Sequence, residues 1–180
     1  MKRKLIAAVL LLPFLSSFSA KKNSAEIPWT ASRKLTWSDF RSRPDNNSTN
    51  AALTSSKIAF NYSYGEVTGF SFTISCVFDK NSSWGRLKTV YILAHEQGHF
   101  DIAEIYARKL NKTLSHYVFN AATTPKEIPA IYQKLMKEEG EFQNQYDEET
   151  NFSRNKDIQA RWLQKIREEL DRLKEYAGYK

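Results

Sequence analysis

The sequence has few residues that could cross-link the chain and no long apolar segment after residue 20 that could anchor it in a membrane. Cys76 is the only cysteine among 180 residues, so an intramolecular disulfide is impossible and packing must hold the fold together. After residue 20, no apolar run approaches the roughly 20 residues that a membrane-spanning helix needs. The net charge of +7 is spread along the chain without a dense basic cluster, so we expect no nucleic-acid partner.

The first 20 residues have the pattern of an export signal. Lys2, Arg3 and Lys4 precede an apolar run over residues 5–15, and small residues follow it over residues 16–20. We therefore predict a signal peptide at residues 1–20 and an exported protein, periplasmic or secreted, with no stable membrane span after cleavage. Retention of the run as an anchor is the alternative. The remaining residues, 21–180, have the length of a single domain.

Two segments of alternating hydrophobicity predict a β-hairpin. Apolar residues recur at every second position over residues 58–64 and again over residues 70–78. Residues 65–69 lie between them and predict the turn. Cys76 falls on the apolar side of the second strand, which favours a packed thiol over a reactive one.

Three helical segments follow the hairpin. Ser82 or Ser83 is placed to cap the first, which we expect to begin at residues 84–87 and to continue to about residue 120. A second segment starts at Pro125, with Gly140 as a weak point. A third carries apolar residues at helical spacing over residues 158–173. Strands followed by helices predict an α+β fold.

The first helical segment contains the pattern His-Glu-x-x-His at residues 95–99. Residues four apart on an α-helix lie on the same face, so the imidazoles of His95 and His99 can share one zinc ion at about 2.0–2.1 Å. Glu96 lies beside them, where a carboxylate can take a proton from zinc-bound water. We predict a Zn²⁺ site and an α+β domain in which a small antiparallel sheet packs against this zincin-type active-site helix, with C-terminal helices closing the cleft.

A catalytic zinc usually has a third protein ligand. Glu104 and Asp101 point away from the two histidines, and His116 is about 25 Å further along an unbroken helix. The remaining candidates are acidic residues of the second helix, namely Glu138, Glu139, Glu141, Asp147, Glu148 and Glu149. Glu139 and Glu149 share a direction with the apolar stripe of that helix, so we expect both to face the core.

Several short segments resemble a bacterial family of predicted secreted zinc-dependent proteases, catalogued as a domain of unknown function. The specific match is the helix segment over residues 93–104, and the resemblance extends over most of the chain after the signal peptide. Weaker matches lie at residues 35–40, at Ser83-Trp84, at Tyr146-Asp147, and at Thr150, Gln159 and Trp162. The resemblance implies a zinc site at His95 and His99, with Glu96 catalytic.

The chain departs from the family pattern at one position. The pattern places a histidine, the natural third ligand, two residues after a Tyr-Asp-x-x-Thr segment, and here that position is Phe152. A carboxylate from Asp147, Glu149 or Glu139 is the replacement that we expect. Tyr146 has two readings, either a hydrogen-bond donor to a developing oxyanion or an aromatic side chain packed in the core.

These patterns predict an exported zinc-dependent metallopeptidase. Glu96 would assist the attack of zinc-bound water on a peptide bond, and the substrate would be a peptide or a protein. The first alternative is a catalytically degenerate zincin-like envelope protein that binds a partner. Phe152, in place of the histidine ligand of the family pattern, favours this alternative. The second is a zinc amidase acting on cell-wall peptides, which would use the same residues.

Overall fold

A computed structural model describes residues 25–179, so the predicted signal peptide at residues 1–20 lies outside the described part. The main sheet is antiparallel and has three strands, in the order β1-β4-β3. These strands are β1 (Glu26–Pro28), β3 (Ser56–Gly65) and β4 (Gly69–Asp79). Two short strands, β2 (Ala52–Leu53) and β5 (Trp84–Gly85), form a separate antiparallel pair.

Three long helices complete the fold: α1 (Val90–Ser115), α2 (Thr124–Glu149) and α3 (Lys156–Arg172). Helix α1 is central, because it contacts β3, β4, α2 and α3 and buries every residue from 100 to 108. The predicted α+β class is confirmed. Within residues 25–179, none of the helices combines the length and the apolar character needed to cross a membrane.

The predicted hairpin is confirmed. Ile58 pairs with Cys76 and Phe60 with Ile74, so the apolar rows of β3 and β4 share one face. Gly69 ends the turn with φ of +68°, a left-handed conformation that glycine adopts without steric cost. Cys76 is 3% exposed, and burial raises the pKa of its thiol well above the ordinary value.

The predicted start of the first helix is wrong. Residues 84 and 85 are extended in β5, and the helix begins only at Val90. Thr89 caps it, because its Oγ1 accepts a hydrogen bond from the backbone N–H of Ile92 at 3.1 Å. Ser83 is buried and has a long-range partner, since its Oγ accepts from the backbone N–H of Ser55 at 2.9 Å.

Two further helix predictions also differ from the structure. Helix α1 ends at Ser115 rather than near residue 120, with His116 as its C-cap. Helix α2 runs without a break through Gly140, the predicted weak point, and also through Pro129. Packing of the apolar face against α1 outweighs the low helix propensity of one glycine, which is only about 1 kcal/mol.

Residues 35–40 fold into a compact turn around the carboxylate of Asp39. Arg33 donates two hydrogen bonds to it at 2.7 Å, and the backbone N–H of Thr36 donates a third at 2.8 Å. The turn directs Phe40 into the core against Phe78 and places Trp37 over Gly85. Burial would raise the pKa of Asp39, but the bonds from Arg33 and Thr36 hold it below its ordinary value.

We expect Asp39→Asn to destabilise the fold by about 1–2 kcal/mol at pH 6, because it removes charge-assisted bonds from a buried carboxylate. A lowered pKa means that this contribution is full above about pH 4 and is lost as the pH falls through the lowered pKa. Urea unfolding of both proteins from pH 6 to pH 3 should therefore show a shrinking difference. Asp171→Asn, at an exposed residue, is the control, and a pH-independent difference would contradict this account.

Candidate functional site

The structure brings three potential metal ligands together between α1 and α2. Asp147 Oδ1 lies 3.0 Å from Nε2 of His95 and 3.0 Å from Nε2 of His99. The two Nε2 atoms are 3.2 Å apart. Among the described residues, these three form a group that could hold a metal ion.

The spacing of these atoms suits a small tetrahedral cation. With bonds of about 2.0–2.1 Å, neighbouring ligands of a tetrahedral zinc ion are about 3.3–3.4 Å apart. The observed separations of 3.0–3.2 Å are within a few tenths of an ångström of that value. Small side-chain movements would accommodate the ion, so the residues present fit a metal.

A side chain of α2 holds the imidazole of His99 in place. Gln143 Oε1 lies 2.6 Å from His99 Nδ1, while its Nε2 donates to the backbone carbonyl of His99 at 3.0 Å and to Glu139 Oε1 at 2.7 Å. These two donations orient the amide, so its oxygen must accept the proton of Nδ1. The neutral imidazole then has its lone pair on Nε2, which faces the cluster.

His95 is oriented mainly by packing. It is buried, and its ring stacks on Tyr146 with 4.5 Å between centroids and 20° between planes. Nδ1 of His95 is buried and has no hydrogen-bond partner within residues 25–179. The polar contacts of the His95 imidazole are therefore made through Nε2, on the side of Asp147 and His99.

Interactions within the cluster shift the pKa values of Asp147 and His99 in opposite directions. Burial would raise the pKa of Asp147, but hydrogen bonds and charges from His95 and His99 lower it below the ordinary value. Burial would lower the pKa of His99, but Asp147, Glu96 and Gln143 together raise it by more, so the net shift is upward. Asp147 is therefore an anion that favours positive charge, whether a proton or a metal cation, beside the two imidazoles.

Glu96 is buried next to the cluster and lines the same cleft. Thr54, just after β2, donates to Glu96 Oε2 at 2.7 Å and so fixes one carboxylate oxygen. Burial raises the pKa of Glu96 above its ordinary value, although His99, Thr54 and His95 partly oppose that shift. The arrangement keeps a carboxyl group of raised pKa beside the two histidines.

Gly98 allows α2 to approach α1 closely. A Cβ atom at this position would lie 2.6 Å from Tyr146 Oη and 2.9 Å from its Cζ, closer than real contacts permit. Tyr146 is fully buried there, and its hydroxyl donates to the backbone carbonyl of His95 at 3.3 Å. Asp147 follows Tyr146 in the chain, so this close packing is what carries its carboxylate to the histidines.

The other acidic and histidine side chains considered as ligands are not part of the cluster. Glu149 is exposed, contrary to the expected core-facing direction, and accepts a hydrogen bond from Trp162 Nε1. Glu139 lines the cleft but bonds to Gln143. Asp101 accepts from Trp29, and Glu104 pairs with Arg108 on the far side of α1. The third histidine, His116, caps the end of α1.

Of the two readings of Tyr146, the structure supports packing. Its side chain is 0% exposed, and its hydroxyl is engaged with the carbonyl of His95. It contributes nothing to the lining of the cleft. A developing oxyanion in the cleft would therefore find no donor in this hydroxyl.

A cleft of about 480 Å³ opens at the cluster. Its walls include residues 50–56 on one side and α2 on the other. Phe152 lines it and is 41% exposed, on a turn where Asn151, Phe152 and Ser153 have φ of 49°, 50° and 66°. Three successive left-handed residues that are not glycine cost roughly 1–2 kcal/mol each, so neighbouring contacts must hold this turn.

Sequence reasoning missed the residues that support the ligands. The motif includes Gly98 without assigning it a role, and it includes neither Gln143 nor Thr54. A usable signal existed for Gln143, because Glu139, Gln143 and Asp147 recur at intervals of four on one helix face. The contact of Thr54 crosses 42 residues of chain, and local spacing cannot reveal it.

We expect Gly98→Ala to destabilise the protein by about 1–3 kcal/mol and to weaken metal binding, because the added methyl group must displace Tyr146 and with it Asp147. Helix propensity alone predicts the opposite sign, a gain of about 1 kcal/mol. Gly140→Ala is the matched control, since a Cβ there meets nothing within 4 Å and should stabilise α2. Urea unfolding and zinc titration of both variants check this, and equal gains in stability would contradict it.

Comparison with known proteins gives the family of the chain. Residues 22–157, most of the sequence, match the family described as "Bacterial protein of unknown function (DUF922)". No curated protein and no solved structure matched the sequence. That description assigns no activity, so any function must be argued from the site. The chain belongs to the bacterial protein family DUF922.

Proposed function

We propose that this protein is an exported zinc-dependent metallopeptidase that hydrolyses peptide bonds in the cleft between α1 and α2. The observation that carries the proposal is the position of Asp147, whose Oδ1 lies 3.0 Å from Nε2 of both histidines of the His-Glu-x-x-His helix. Two imidazole nitrogens and one carboxylate oxygen are a ligand set that catalytic zinc sites use, with a fourth position left open.

Zinc bound there would polarise the scissile carbonyl and lower the pKa of a water molecule towards about 7. Residues of the chain itself would carry out the proton transfers. Glu96 lines the cleft beside the ligands, and we assign it the proton taken from the attacking water and later given to the leaving amine. Thr54 holds Oε2 of that carboxylate, which leaves Oε1 for the proton.

Supporting contacts keep the ligands in one arrangement. Gln143 fixes the tautomer and the ring plane of His99, and Glu139 in turn orients the amide of Gln143. Tyr146 stacks on His95 and limits rotation of its ring. The site is therefore ordered before a substrate arrives, which reduces the cost of organising it during the reaction.

The geometry also bears on the alternatives. Phe152 was the reason to consider a degenerate binding protein, since the family pattern has a histidine there. Asp147 reaches both histidines without any contribution from that position, which supports a metal site in spite of Phe152. A zinc amidase acting on cell-wall peptides would use the same residues, and identification of the cleaved bond in a peptide and a muropeptide substrate separates the two activities.

Zinc content tests the site directly. Purified without chelator and offered zinc, the protein should hold about one zinc ion per molecule, measured by elemental analysis. His99→Ala and Asp147→Ala should lose it, because each removes one of three ligands. His116→Ala removes the remaining histidine, at the end of α1, and should keep the metal. A zinc-free parent protein, or equal retention in His99→Ala, would refute the site.

Replacement of Glu96 separates metal binding from chemistry. We expect Glu96→Gln to retain zinc and to cleave a fluorogenic peptide library about 10²–10⁴-fold more slowly, since the amide cannot accept the proton. Glu141→Gln, on the exposed face of α2, should cleave at the parent rate. Cleavage by Glu96→Gln at the parent rate would rule out the assigned role.

A further inference from the structure

A second cavity, of about 580 Å³, adjoins the cleft. Asn50, Ala51, Phe152 and Ser153 line both, so the two cavities are neighbours with these four residues at their boundary. A ligand that extends from the cleft past this boundary would reach the second cavity. Nothing in the proposed chemistry uses this space.

The second cavity is lined by positive charge. Arg86, Arg154 and Lys156 contribute to its walls, and no aspartate or glutamate does. Arg86 donates to the backbone carbonyls of residues 45, 48 and 50, and Arg154 donates to that of Asn151. Carbonyls do not neutralise a guanidinium, and none of the three cations forms an ion pair within the described residues.

Two helix N-termini add to this positive character. Thr89, the N-cap of α1, lines the cavity together with Tyr91 and Ile92, and Lys156 is the first residue of α3. The N-terminal end of a helix carries a partial positive charge. Asp157, in the first turn of α3, is the nearby opposing charge, but it is not part of the cavity wall.

One lining residue also has an unused donor. The hydroxyl oxygen of Tyr91 is buried and has no hydrogen-bond partner in the described part of the chain. Buried polar atoms are usually paired, and a tyrosine hydroxyl can donate to an anion. Lys156 Nζ lies 5.6 Å from the centre of the same ring, so a cation lies beside the residue that has the unpaired hydroxyl.

We propose that the second cavity is a subsite for a carboxylate of the peptide bound in the cleft. This inference rests on the proposed function for the identity of the ligand. The adjoining cavity is the favoured place for a carboxylate because three cations and no acidic residue line it, whereas Glu96, Glu139 and Asp147 line the cleft. The carboxylate is either an acidic side chain or the C-terminus of the peptide.

Binding of defined peptides tests the subsite independently of cleavage. The zinc-loaded Glu96→Gln protein serves as host, because its slow cleavage leaves the probes essentially intact during the measurement. The probes are eight-residue alanine-glycine peptides, blocked at both ends, with one glutamate moved through the sequence. Matched peptides carry glutamine instead, with either a blocked or a free C-terminus. Calorimetry should show at least one glutamate or free-carboxylate peptide binding about tenfold more tightly than its blocked glutamine counterpart.

Charge-removing variants in the same host locate the carboxylate. Lys156→Met keeps the apolar stem over Tyr91 while removing the charge, and Arg154→Gln removes the second cation. Each should reduce the preference several-fold. Arg86 is left intact because it braces residues 45–50. Lys137→Met, at an exposed position on α2, is the matched control and should keep the full preference.

The outcomes separate this inference from the proposed function. Equal binding of all peptides, no binding at all, or a preference that survives both substitutions would overturn the subsite. A carboxylate preference lost in these variants, without cleavage by the parent protein, would uphold the subsite and refute the peptidase. If the parent protein cleaves blocked glutamine and glutamate peptides at equal rates, and the host binds both equally, the peptidase is upheld and the subsite is not. If only the glutamate peptides bind more tightly, the carboxylate is that of an acidic side chain. If only the peptides with a free C-terminus do, it is the terminal carboxylate.

Discussion

The site depends on how closely α2 packs against α1 at Gly98. Tyr146 occupies the space that any side chain at position 98 would need, and it is fully buried there. This contact sets the distance between the two helices. Because Asp147 follows directly in the chain, the same contact determines that its carboxylate meets the imidazoles of His95 and His99 rather than solvent.

Helix α1 organises the molecule because each of its faces has a different partner. His95 and His99 face the cleft, while Gln97 and Asp101 face the N-terminal segment, accepting hydrogen bonds from the backbone of Leu35 and the indole of Trp29. The face that includes Ile102 lies in the core. A 26-residue helix packed against β3, β4, α2 and α3 is a rigid support for His95 and His99.

The turn that borders the cleft has an unfavourable backbone conformation. Residues 151–153 are left-handed although none is glycine, and they present Phe152 between the cleft and the adjoining basic cavity. Thr150 stabilises the turn, since it is buried and its hydroxyl donates to the carbonyl of Tyr146 at 2.7 Å. Strain retained by surrounding contacts is common where a side chain must be presented to a ligand.

The sequence alone determined the features that depend on local periodicity. It predicted the β3–β4 hairpin, the helical character of residues 95–99, the packed Cys76 and the α+β class, because spacing along one element decides which side chains share a face. It left three carboxylates open as the third ligand and predicted the wrong start for α1. Only the tertiary structure decided that Asp147 joins the histidines and that residues 84 and 85 form a strand, because both depend on contacts between residues distant in the chain.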